Sequence, residues 1–199
     1  GVHRTGTDVD RATIDWLEGL VRGMGARVVR HPYQFPMVQA SALLAAPLHD
    51  VPLMPLYYAG NGAIESDKVH VTALSLAEGH DPAVVDRDLT AIATQARAVG
   101  ADLALVATRC ASDNLCAINR DPGESLDFPI CLAPGHAFER LKAGTPQVRI
   151  EVGVTPGSSD NLAAELGEPH DSRPPLVITT PTSGWFTCAM SPETRPTGR

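Results

Sequence analysis

The stretch Leu176-Val177-Ile178-Thr179-Thr180-Pro181-Thr182-Ser183-Gly184-Trp185-Phe186 is where the fold is decided. It opens on an apolar run rich in β-branched residues. Pro174-Pro175 stops the chain before that run, and Pro181 and Gly184 interrupt it afterwards. The pattern predicts a buried strand, parallel to its neighbours, that ends in a tight loop. In open α/β sheets ligands bind outside the carboxyl ends of the strands. Thr180, Thr182, Ser183 and Trp185 are therefore the candidate substrate-loop residues, with Ser183 the candidate nucleophile. The same residues also read as a core strand followed by a hydroxyl-rich turn, because a fold does not carry a function with it.

Working outward, 199 residues at 43% hydrophobic content can form one sizeable core, or a small core with an inserted module. The formal net charge is −7. Lys and Arg are scattered singly with no basic stripe, so no nucleic-acid partner is expected. The apolar runs are too short to span a bilayer, and no membrane partner is expected either. The first residues lack the charged segment followed by an apolar one that marks a signal peptide, and no compartment is assigned. Four cysteines fit a reduced protein better than a disulfide framework.

Upstream, residues 7–24 predict a helix. Thr7 can cap it, and Asp8 and Asp10 put negative charge in its first turn. Val9, Ala12, Thr13, Trp16, Leu17, Leu20, Val21 and Met24 recur at helical spacing as one broad apolar face, and Gly25 is the stop. Arg27 to His31 reads as a strand ended by Pro32. From there to about Val154 the segments become short and β-rich, with strands expected at 39–46, 52–58, 69–76, 103–108, 129–133 and 148–154. Gly60-Asn61-Gly62 reads as a turn. Helices are expected over 86–99, with an earlier start possible at Asp81-Pro82, and over 135–142. Residues 109–127 make a long polar connection, which is either functional or mobile. Thr155-Pro156-Gly157 reads as a second boundary and 159–166 as a strand. The tail after Met190 has no apolar period and reads as disordered.

HRTGT near the start, the helix DRATIDWLEGLVRGMG and the strand RVV resemble the opening of the M28-type zinc aminopeptidases. SSDNLAAELG followed by LVITT resembles the strand pair of the same family that leads to its first zinc ligand. Between them, VHVTALSL, AIATQARAVGADLALVAT and FPICLAPGHAFERLKAG with QVRIEVGV resemble a protease-associated (PA) domain. The resemblance implies an α/β fold: a partial peptidase-like core at 1–35 and 155–190, interrupted by a β-rich PA-like insert with two helices at 36–154, and a tail at 191–199. In that family the central strand ends in a His and, two residues on, an Asp, both on zinc. Here those positions hold Pro181 and Ser183. Proline has no side-chain donor atom, and a neutral serine hydroxyl is a poor zinc ligand. The family's other ligands and its catalytic Glu lie further along than Arg199. No metal site and no cofactor is therefore expected in this chain, zinc being expected only in a complete family member.

Tested residue by residue, the rest of the chemistry is sparse. His3, His31, His49, His70, His80, His136 and His170 are widely spaced, with no H-E-x-x-H. Cys110 and Cys116 do not have zinc-knuckle spacing; free thiols are expected, or a loop disulfide if the chain is exported. Thr-Pro-Thr-Ser-Gly is not the G-x-S-x-G elbow, and His136 or His170 would have to approach Ser183 for catalysis. The carboxylates fall on helix starts and outer faces, where capping and solubility account for them. The leading expectation is a non-catalytic N-terminal portion, or zinc-less relative, of an M28-like peptidase. Its insert would shape a substrate cleft or mediate protein contacts through exposed loops such as Ala111–Leu126, with a peptide or protein as partner. The alternatives are a metal-independent hydrolase using the Thr180–Ser183 loop and a stand-alone PA-like binding module.

Overall fold

The computed structural model describes residues 4–76, 81–110, 114–118, 120 and 126–167. The deciding strand at 176–178, and the tail, lie outside the described residues. Among the described residues the chain is a mixed α/β protein with α1 (Asp8–Gly23), β1 (Arg27–Leu44), β2 (Met54–Pro55), β3 (Gly62–Ser66), β4 (Val69–Ser75), α2 (Pro82–Ala98), β5 (Leu103–Arg109), β6 (Ile130–Pro134), a 3-10 turn (Gly135–Ala137), α3 (Phe138–Ala143) and β7 (Val148–Glu165). One sheet has the order β1-β7-β3, the other β2-β6-β5-β4. The chain divides into two compact units. In described residues the first holds 4–37 and 155–167, the second 38–154. β1 and β7 each give one half to either unit.

In the first unit, α1 begins where the capping pattern places it. Thr7 Oγ1 accepts from Asp10 N at 3.3 Å, and Gly25 follows the helix at φ +87°. The buried face differs from the expected one. Ile14 and Asp10 are buried, while Val9, Trp16, Leu20 and Met24 are exposed. Two strands also differ. β1 runs through Pro32 and Pro36, and β7 runs through Pro156 and Gly157, where the sequence predicts breaks. Among the described residues β1 has β7 as its single strand neighbour. An edge strand tolerates proline because one side of it has no ladder to donate to. Gly157 fits for a second reason: a Cβ there would lie 2.9 Å from Met37 Cβ.

In the second unit, β5 is the centre. Leu103 through Thr108 are fully buried, as a parallel strand covered on both faces must be. It pairs in parallel with β4 (Leu105 opposite Val71) and β6 (Leu105 opposite Cys131), and β2 adds antiparallel to β6 (Met54 opposite Leu132). Alternation along the strand sends Leu103 and Leu105, with Cys131 and Ala133 of β6, into a core shared with Leu44, Leu141, Val148 and Ile150. α2 lies against β4 and β5 through Val85, Leu89, Ile92, Ala93 and Ala96. Asp81 caps it by accepting from Ala83 N at 2.9 Å, and Pro82 opens it. The strand expected over 52–58 shrinks to β2. β3, which pairs Gly62 with Val152 and Ile64 with Ile150, has no counterpart in the sequence reading, because GAIES lacks both alternation and β-branched density.

Candidate functional site

Thr180, Thr182, Ser183 and Trp185 lie outside the described residues, as do Pro181, His3, His80, His170 and Cys188. No approach of a histidine to Ser183 is therefore on view. Of the histidines that are described, His31, His49, His70 and His136, none belongs to a cluster: among the described residues no three His, Cys, Asp or Glu side chains could hold one metal ion. The described helices include none long and apolar enough to cross a membrane.

The richest described chemistry surrounds the connection that leaves β5. Cys110 and Cys116 are joined by a disulfide, which corrects the expectation of free thiols. Their Cα atoms are 6.7 Å apart, within reach of a bridge. The loop returns because Thr108 holds it. Its buried hydroxyl accepts from Cys116 N at 3.1 Å and donates to Ala133 O at 3.2 Å, satisfying a polar group that burial would otherwise penalise. Leu115, Cys116, Ile118 and Arg120 are all buried. The expectation of an exposed contact loop at 111–126 is corrected for these residues: apolar Leu115 and Ile118 alternate with the disulfide and pull the segment onto the unit.

Arg120 closes this arrangement. Its side chain is 3% exposed and pairs with Asp86 of α2 at 2.6 Å. It also donates to Tyr58 O at 2.9 Å. A buried guanidinium needs such partners to offset its desolvation. Tyr58 itself sits at φ 62°, an uncommon region for a residue with a side chain. The chain crosses Leu126 there in both directions: Gly60 N donates to Leu126 O and Leu126 N to Tyr58 O, each at 2.8 Å. Gly60, at φ +66°, could not carry a Cβ without meeting Pro129 backbone at 3.0 Å. Sequence reading missed this pairing. Arg120 and Asp86 are 34 positions apart, and no local period links them.

The arrangement anchors a loop; it does not activate a nucleophile. Cys131, a free thiol, is buried, and burial pushes its ionisation well above the ordinary thiol range, so it is inert as a nucleophile. A shallow trough of about 410 Å³ lies on the second unit between Gln39, Ser41, Gly62, Ala63, Glu151 and Gly153. Its size suits a small ligand, but Glu151 is the single ionisable group lining it. The first unit carries one polar constellation, Asp10 with Ser159 and Gly6, and one charged one, Arg30 with Asp15, Glu18 and Asp160. Asp10 lies at a helix start, in the first turn of α1, as the sequence predicts, and it is 1% exposed there.

No protein-family model matches the chain, and no curated protein sequence matches it. Solved structures do. BSAP, a zinc aminopeptidase from Bacillus subtilis, superposes with a TM-score of 0.58 at 13% identity over 87% of this chain and 44% of its own. The fold is aminopeptidase-like. A second, medium-resolution structure of BSAP gives a TM-score of 0.54 at 13% identity, over 81% of this chain and 42% of its own. This aminopeptidase-like chain thus spans less than half the length of the solved aminopeptidases that it resembles.

Proposed function

We propose that this chain is a non-catalytic N-terminal portion, or zinc-less relative, of an M28-like peptidase. In this reading residues 1–35 and 155–190 form part of the peptidase-like core. Residues 36–154 form a PA-like insert that shapes a substrate cleft or mediates protein contacts, with a peptide or protein as partner. What supports it is the aminopeptidase-like fold, taken with the sequence resemblance, by which Pro181 and Ser183 stand where the family has its zinc ligands. That donor set does not fit the metal: one residue offers no donor atom and the other a neutral hydroxyl. No hydrolytic step through zinc is derived for these residues.

The insert's contact surface is better sought on the Gln39–Ser41, Gly62–Ala63 and Glu151–Gly153 trough than on the buried Leu115, Cys116, Ile118 and Arg120. The test is direct. The purified chain, dialysed against zinc and then against buffer, is assayed for bound metal and for release of chromophore from amino-acid p-nitroanilides. The expected result is substoichiometric zinc and no turnover; one zinc per chain together with turnover would overturn the reading.

A further inference from the structure

α1 is apolar on two sides. Ile14 is buried and Leu17 and Val21 are half-buried on one. On the other, Val9, Trp16, Leu20 and Met24 remain 40%, 64%, 49% and 64% exposed. Ala12 is exposed beside them, and a Cβ at Gly19 or Gly23 would meet nothing within 4 Å. At the helical repeat these positions cover roughly 140° of the helix surface. No charged residue of α1 falls among them: Asp8, Arg11, Asp15, Glu18 and Arg22 all lie on the remaining arc.

A helix that is apolar on both sides belongs between two layers. In its own unit, among the described residues, α1 has only one, the two-stranded half of β1 and β7. The 155–165 half of β7 has no further strand beside it there, since β3 pairs with Val148 to Val152 alone. A two-stranded ribbon is marginal by itself, and an exposed, charge-free stripe carrying a tryptophan marks an interaction surface. The fold comparison indicates what is missing: 44% of the B. subtilis enzyme's chain has a counterpart here, and the rest does not. A second copy of this chain would leave that same part of the fold unfilled.

We propose that the Val9–Trp16–Leu20–Met24 face of α1 docks the remainder of an aminopeptidase-like α/β core, carried on polypeptide outside these 199 residues of the same gene product. The proposal rests on the reading above that this chain is a portion of such a protein. Its test reads burial, whereas that reading is tested by zinc and turnover, so each can fail without the other.

The experiment compares the 199-residue chain with the complete gene product. Trp185→Phe leaves Trp16 as the sole tryptophan of the 199-residue chain. In the complete product any tryptophan outside these residues is replaced by Phe as well, and acrylamide quenching of the remaining fluorescence reports the accessibility of Trp16. The expected result is free quenching in the 199-residue chain and a several-fold smaller quenching constant in the complete product. Amide hydrogen exchange across residues 9–24 in the unsubstituted proteins, slowed several-fold in the complete product, gives the same answer should Trp185→Phe fail to fold. Equal accessibility in both, or a gene product no longer than this chain, overturns the proposal. So does a shielded Trp16 in a 199-residue chain that light scattering shows to be a dimer.

Discussion

Ser159 Oγ donates to Asp10 Oδ2 across 2.8 Å, joining the first turn of α1 to β7 over 149 positions of sequence. The same oxygen accepts from Gly6 N at 2.8 Å. Asp10 stands three residues after the cap Thr7, the place from which an acidic side chain reaches back to an amide in a capping box. Here the amide it reaches is that of Gly6, one residue ahead of the cap, so the carboxylate fixes the turn that leads into the helix and pins that turn to the ribbon with one side chain. Hydrogen bonds to a charged acceptor contribute about 1.5–3 kcal/mol each. Asp10→Ala, which loses both bonds, is expected to cost about 3 kcal/mol and Ser159→Ala, which loses one, about 1.5–2 kcal/mol. Urea midpoints of the two variants check the ranking.

Arg120 holds two segments at once, α2 through Asp86 and the backbone at Tyr58. Removing one partner of a buried pair costs about 3–5 kcal/mol, and the partial exposure of Asp86 lowers that range. Arg120→Ala is expected to destabilise by about 3 kcal/mol, and Asp86→Asn by less, because the amide still accepts a hydrogen bond. Limited proteolysis should find new cleavage between 114 and 126 in Arg120→Ala. An unchanged digest would show that the disulfide alone secures the segment.

The Cys110–Cys116 bridge closes a loop of six positions, for which the chain-entropy relation gives about 2 kcal/mol. Cys110→Ser/Cys116→Ser is expected to lose about that much stability. Thiol titration of the unfolded, unreduced protein should find two of the four cysteines, and all four after reduction. Four free thiols before reduction would contradict the bridge. A formed bridge also favours maturation in an oxidising compartment.

Two carboxylates, half-buried Glu18 and exposed Asp50, contribute to the acid limb of stability. Hydrogen bonds from Arg22 and then Arg30 hold Glu18 below the usual carboxylate range, and the Arg140 fork does the same for Asp50. Both values are depressed in the folded state. The stabilisation is thus present above the ordinary unfolded values, near pH 4, and is lost as pH falls through the lower folded ones. Tm measured from pH 6 down to pH 3 should fall less steeply in Arg30→Ala and Arg140→Ala than in the unsubstituted chain. High salt should flatten the Asp50 contribution more than that of Glu18, since the Arg140–Asp50 pair is exposed while Glu18 is half-buried.

Packing at β5 carries a large single-residue effect. Leu105 is fully buried between β4 and β6. Leu105→Ala is expected to cost about 2–5 kcal/mol, comparable to Asp10→Ala and Arg120→Ala, read from the same urea midpoints. Met24→Ala, on the exposed stripe of α1, should change the stability of the 199-residue chain by less than about 0.5 kcal/mol.

Local sequence determined the elements that carry their own signals. Thr7 with Asp8 and Asp10 started α1, Asp81-Pro82 started α2, Gly25 and Gly100 stopped them, and the unbroken LALVAT run announced a covered parallel strand. Capping and period act within a few residues, so they are legible in a string. Tertiary structure alone decided the rest. Pro32 stays inside a long strand because the edge position of β1 excuses a missing amide, and Pro156 because it lies beyond the stretch of β7 that pairs with β3 among the described residues. GAIES becomes β3 because β7 offers it a partner. Asp10 is buried because Ser159 meets it, and Arg120 because Asp86 and Tyr58 do. Which side of α1 faces inward was likewise undecidable from a helix with two apolar sides. Such choices depend on residues tens to more than a hundred positions apart, and only the folded chain brings those together.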